Sequence, residues 1–229
     1  LTVGADMVVP EGAAIDATGK GGSDSSSPGY PTGSCGAGHG GAAANKNDFH
    51  GRSYGYKYAP FLPGAPASTQ GSSAAGKGGG AFVLLSSGTV SLSGLVSCRS
   101  TDYGYSNGAG GGIWIVGSDF RVAPCAELVA DSGVGGNSYD KNYAGTGGRI
   151  SLAAGLMDYD IAALAKGETP EDLTYTDSLD FITASANAGQ GRVDPATAKR
   201  TTANRPGTIT YVTRGEGTFV TPIPAPEPP

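Results

Sequence analysis

The chain has little charge and few of the side chains from which metal or redox centres are built. Of 229 residues, 15% are Asp, Glu, Lys or Arg, with 2 His, 3 Cys, 2 Met and 1 Trp. A formal net charge of −5 leaves no electrostatic footprint for nucleic acid or for an anionic membrane as main partner. No apolar run is long enough to span a bilayer, so membrane insertion is not expected. The cysteines (Cys35, Cys98, Cys125) allow at most one internal disulfide, and their spacing fits no zinc motif. The chain opens without Met, in strand-like Leu1-Thr2-Val3, which leads to the expectation that a leader or an upstream module has been removed.

What the chain does have is glycine, 40 residues of it. A glycine run leading into a short apolar, β-rich segment recurs as Gly78 to Leu84, Gly110 to Val116, Gly147 to Leu152 and Pro206 to Tyr211. With Gly80, Gly112, Gly148 and Gly207 in one column, Phe82, Trp114, Ile150 and Ile209 fall two residues on, and Leu84, Val116, Leu152 and Tyr211 four residues on. The last two copies alternate with the period of a strand that buries one face; the first two are apolar on both. A second column aligns Ile15, Val96, Val129 and Ile182, and places Cys98 beside Ala17 and Ala184 as a small buried hydrophobe.

These repeats predict an all-β fold, a right-handed parallel β-helix (β-solenoid) of about five coils, with one domain over residues 1–220. Phe82, Trp114, Ile150 and Ile209 are expected to stack inside it. A Gly/Ser/Tyr-rich insertion fills 23–77, and shorter excursions occupy 99–109 and 132–146. All three leave from the same place in the repeat, so they are expected to lie side by side along one edge. An acidic insertion at 156–178 reads as helical. Asp160 is its expected N-cap, Ile161 to Lys166 its body and Gly167 its stop, followed by a capped turn at Thr169 to Asp172. This piece is expected to cover an outward column of Val83 and Ile115. Seven acids against Lys166 over 156–182 are expected to dock on the basic stretch 190–205. The proline-rich residues 221–229 read as an extended linker or tail.

The order Gly-Gly-Gly-Ile-Trp-Ile, Leu-Val-Ala-Asp-Ser-Gly-Val-Gly-Gly, Gly-Thr-Gly-Gly-Arg-Ile-Ser-Leu and Arg-Pro-Gly-Thr-Ile-Thr-Tyr-Val resembles the glycine-rich parallel β-helix repeats of large secreted and cell-surface, adhesin-like bacterial proteins. The resemblance covers 78–220, and 1–22 weakly. It implies the fold and an extracellular or cell-surface setting, and it carries over no catalytic residues.

Eight of the 11 tyrosines (Tyr30, Tyr54, Tyr56, Tyr58, Tyr103, Tyr105, Tyr139, Tyr143) lie in the three inserts. Either their rings give loops without aliphatic residues a miniature core, or they form an amphipathic platform for a glycan or a surface protein. His39 and His50 stand near Cys35 and Asp48 but are expected to be solvated loop residues, and no metal or cofactor is expected. Asp102, Asp131 and Asp140 should approach one edge, without the Asp-rich nonapeptides that would support calcium. Two Gly-x-Ser-x-Gly matches, at Ser53 and Ser106, lack the strand and helix of a nucleophile elbow.

The function expected is therefore structural or adhesive, without catalytic residues. Self-association along the repeat axis into filaments is part of that expectation, because unpaired strands at Leu1 to Val3 recruit further strands. The alternative is a glycan-binding module or a polysaccharide lyase or hydrolase, which needs fixed pairs of acids, or a base facing Arg or Lys.

Overall fold

The computed structural model describes residues 1–32, 36–44, 49–68, 75–102, 106–134, 144–189, 206–215 and 220–224. Its strands are β1 (Thr2–Val3), β2 (Met7–Val9), β3 (Ala14–Asp16), β4 (Ala43–Ala44), β5 (Phe49–Gly51), β6 (Ala81–Ser86), β7 (Thr89–Leu92) and β8 (Leu95–Ser97). These are followed by β9 (Gly112–Gly117), β10 (Asp119–Val122), β11 (Glu127–Val129) and β12 (Arg149–Ala154). A helix, α1 (Asp158–Ala165), precedes β13 (Leu173–Thr176), β14 (Thr183–Ser185), β15 (Thr208–Arg214) and β16 (Val220–Pro222).

Sheet A has the order β1-β6-β9-β12-β15-β13, sheet B β16-β10-β7-β2 and sheet C β14-β11-β8-β3. Successive stretches of chain add neighbouring parallel strands, and the three sheets share one core that includes Leu84, Ile113, Ile150, Val90, Phe120, Val96 and Leu128. Strands β4 and β5 form a separate antiparallel pair.

This arrangement corrects the expected class. Among the described residues the fold is mixed α/β, with parallel sheets, one helix and 34% strand, and it shows no closure into a β-solenoid or parallel β-helix. Two departures carry the correction. After β12 the chain passes through α1, in the insertion expected to be helical, into β13 rather than into a strand of sheet B, and β16 takes the place beside β10. Strand β13 then runs antiparallel to β15 and ends sheet A. The cause is local: an acidic, capped segment with proline at 170 makes a helix and a turn there.

The helix starts earlier than its sequence suggests. Asp160 stands one turn inside, where its carboxylate accepts the Met157 N–H at 2.9 Å and a pair of donors from Arg214, Nε at 2.7 Å. Arg214 also meets Asp172 at 2.6 Å. These hydrogen bonds hold the Asp160 carboxyl below its ordinary range. Gly167, at φ +83°, ends the helix as expected, and the Glu168 N–H returns to the Ala163 carbonyl at 3.0 Å. Among the described residues the basic partners of this acidic segment are Arg214 and, for Asp177, Lys57 at 2.6 Å; the expected basic partner, 190–205, lies outside the described residues.

Register also corrects the core. Phe82 pairs with Ile113, which pairs with Ile150, and that in turn with Ile209. Trp114 is therefore not in the interior column but on the outer face, aligned with Val83 and Ser151. There it is buried with Ala59, Ala153 and Leu164 under residues 58–61 and α1. Val83 packs against this outer cluster, to which Leu164 of α1 belongs, but Ile115 points inward with Leu84 and Leu152. In sheet C the column is Ile15, Val96, Leu128 and Ala184, one and two residues from the expected Val129 and Ile182. Cys98 is buried in the same core as Ala17, Ala130 and Ala186, and burial pushes its thiol up to about 12.

Candidate functional site

The glycine-rich stretches that enter sheet A lie backbone against backbone. The Gly76 and Gly79 N–H groups donate to the carbonyls of Ser106 and Ala109, each at 2.9 Å. Ala109 donates to Ala65 at 2.9 Å, Gly110 to Thr146 at 3.0 Å, and Thr146 to Ala37 at 3.0 Å. Stretch 106–111 thus has neighbours on several sides, which a chain with side chains could not have. A Cβ on Gly64 would stand 2.2 Å from the Ala109 carbonyl oxygen, one on Gly110 1.9 Å from that of Ala130, and one on Gly145 2.1 Å from that of Gly108. Glycine's lack of a side chain is used here as in the collagen axis, for approach rather than for turning.

The ends of these stretches also meet. Ser106 Oγ donates to the Ser68 carbonyl at 2.9 Å, Val134 N–H to Asp102 at 2.8 Å, and Gly189 N–H to the Gly145 carbonyl at 3.0 Å. Tyr103, Tyr105, Tyr139, Tyr143 and Asp140 belong to segments between such ends and lie outside the described residues, as do Cys35 and Asp48. The other four tyrosines have packing roles or turn positions. Tyr30 is half-buried at a turn. Tyr54 donates its hydroxyl to the Pro63 carbonyl and sets its ring 4.6 Å from that of His39. Tyr56, partly exposed, lies over Gly167 and 5.9 Å from Phe61. Tyr58 packs 4.4 Å from Tyr175, with Lys57 Nζ 5.1 Å over its ring.

The expectation of a solvated His39 is overturned, because the residue is fully buried. Its Nδ1 is 2.7 Å from the Gly110 carbonyl, which can only accept, so Nδ1 carries the proton and Nε2 is left as a bare acceptor with no partner among the described residues. Beside it lies Arg149, 7% exposed. Arg149 donates to the carbonyls of Tyr54 and His39, to Ser53 Oγ at 2.9 Å and to Thr208 Oγ1 at 3.2 Å. No carboxylate is among these acceptors. The cluster ties the large insertion to sheet A, and Ser53 links the two through its hydroxyl, which accepts from Arg149 and donates to the His39 carbonyl at 3.0 Å. Arg149 and Thr208 were missed from sequence because their partners in the insertion are distant along the chain; the only available signal was a charged residue opening an otherwise apolar strand.

Burial, with Arg149 adding a smaller effect, depresses the His39 pKa from 6.5 to about 4. Between those values the unfolded chain binds a proton that the folded chain excludes. Stability is therefore expected to fall as pH drops through this window, by about 3 kcal/mol in all. The carboxyls with lowered values, Asp16, Asp24 and Asp160, start from 3.8 and act below it. Urea unfolding at pH 7 and pH 4.5 checks this. His39→Asn, which keeps a donor for Gly110, should flatten the dependence, and an equally steep loss in that variant would assign it elsewhere.

The remaining acids serve the backbone. Asp102 pairs with Arg99 at 2.7 Å, and Asp131 accepts from Ser185 Oγ at 3.0 Å and from Asn187 N–H at 2.6 Å. Among the described residues no group of three potential metal ligands converges, and Cys98 and Cys125 are free. Compared with family models, with curated proteins and with solved structures, the chain matches none.

Proposed function

We propose that the protein is a non-catalytic structural or adhesive module, in which the sheets and the glycine bundle form a rigid base for tyrosine-bearing loops. The observation that carries this reading is the convergence of the stem ends at Ser68, Asp102, Ser106, Val134, Gly145 and Gly189. Fixing the two ends of a segment lowers the entropy it has to lose on binding, and tyrosine adds contact area with few rotors. Tyr103, Tyr105, Tyr139 and Tyr143 are the residues assigned to contact a glycan or a surface protein. A secreted or cell-surface setting goes with this reading through the resemblance of the repeats.

A glycan array and cell-binding assay on the parent and on a variant with these four tyrosines changed to serine is the test. Binding is expected to fall at least tenfold while the melting temperature stays within about 2 °C, the range of neutral surface changes. Turnover of a polysaccharide, or unchanged binding by the variant, would remove the reading.

A further inference from the structure

The three sheets end together on one side. Strands β1, β2 and β3 are the last members of their sheets there, with no further strand beside them among the described residues. The carbonyls of Leu1 and Val3 accept from Leu85 and Ser87 at 2.9 and 3.0 Å. Alternation along a parallel ladder then turns the backbone groups of Thr2 toward the open side. Next to this edge, Leu85, half-buried at the margin of the outer cluster, also lines a trough of about 450 Å³. Leu85, Val116, Leu156 and Ile161 are its apolar walls, Thr2 lines it from β1, and Asp158 is its one charged lining residue; Val3, one residue on, turns inward to the shared core. Leu1 and Met157, adjoining these walls in the chain, are 65% and 52% exposed.

We propose that this edge takes an extended strand of another protein. The strand pairs with β1 through its backbone, seats an apolar side chain in the trough and sets a basic side chain against Asp158. An alternating row of N–H and C=O groups is satisfied in kind only by polypeptide, and a pocket beside the edge reads every second side chain. The chain already covers the same face in a related way, where the carbonyls of Lys57 and Tyr58 accept from Thr210 Oγ1 and Ser151 Oγ. A second copy fits poorly. At the far side sheet A ends in antiparallel β13, and the edge strand of sheet B ends in Pro222, which has no N–H. The first stretch of chain, which carries the edge strands β1, β2 and β3, holds Asp6, Glu11 and Asp16 against Lys20, so two copies meeting at this edge would bring together surfaces of the same net sign. A basic strand meets these acids favourably.

The probe is a capped seven-residue peptide that alternates threonine with valine or leucine and has lysine at both ends. It is titrated into the full chain and followed by amide shifts and hydrogen exchange. Saturable shifts at Thr2, Val3, Leu85 and Ile161 are expected, with slowed exchange at Thr2. A glutamate-ended peptide should bind about threefold more weakly, as befits an exposed ion pair, and Asp158→Lys should reverse that preference. The proposal is overturned by the absence of saturable shifts at millimolar peptide or by equal binding of a peptide with a central proline. It is also overturned by concentration-dependent growth in mass on light scattering with loss of exchange at Thr2, which would make a second copy the occupant.

Discussion

Gly111→Ala is expected to be among the most damaging single substitutions in the chain, with a loss above about 4 kcal/mol, the range reserved for backbone clashes and collapsed cores. A Cβ at Gly111 would stand 1.7 Å from the Gly80 carbonyl oxygen, and the same column continues with Gly148 at 2.0 Å from Gly111 and Gly207 at 1.7 Å from Gly148. Carbon and oxygen do not approach within 3.0 Å at such a site, so β6 and β9 must part by more than an ångström. That movement breaks the hydrogen bond from Gly112 to Gly80, at 3.2 Å. Gly4 is the control. Nothing lies within 4 Å of a Cβ there and its φ is not positive, so Gly4→Ala should be neutral or stabilise by about 0.4 to 1 kcal/mol through the unfolded chain. Chemical denaturation of both variants decides the matter, and a Gly111→Ala protein as stable as the parent would mean that the column does not exist.

That column also shows where the sequence could be read and where it could not. Ile150-Ser151-Leu152 and Ile209-Thr210-Tyr211 alternate, and the expected pairing of Ile150 with Ile209 is the observed one. Phe82-Val83-Leu84 and Ile113-Trp114-Ile115 are apolar on both faces, because residues 58–61 and α1 bury the outer face as well. Burial on both sides removes the period-two signal that fixes a register. The glycine run could not replace it, since Gly110, Gly111 and Gly112 offer more than one frame. Gly112 is a glycine for a different reason: a Cβ there would stand 2.3 Å from the Pro60 carbonyl oxygen, in the cover rather than in the column. At the candidate site, the concentration of tyrosine in the inserts was legible from composition. The burial of His39 was not, because Arg149 meets its neighbourhood across separations of 95 to 110 residues, and no local pattern encodes such a contact.

Trp114→Ala is expected to cost about 3 to 5 kcal/mol, the range for large aromatic truncations in packed interiors. The position of the ring decides what else should change. Trp114 is 3% exposed and belongs to the outer cluster with Ala59, Leu164 and Tyr58, not to the core shared by the three sheets. The void left by alanine therefore lies beneath the cover, so residues 57–61 and α1 should become the first sites of proteolysis while the shared core keeps its protection from hydrogen exchange. Trp114→Phe should cost much less. It retains most of the buried ring area and also removes Nε1, which has no hydrogen-bond partner among the described residues and so carries an unrepaid desolvation cost of about 1 to 3 kcal/mol. Because the chain has 1 Trp, its fluorescence reports this site alone, and the parent should show blue-shifted emission resistant to iodide. Ready quenching in the folded parent, or equal losses for the alanine and phenylalanine variants, would place the ring somewhere other than beneath residues 58–61.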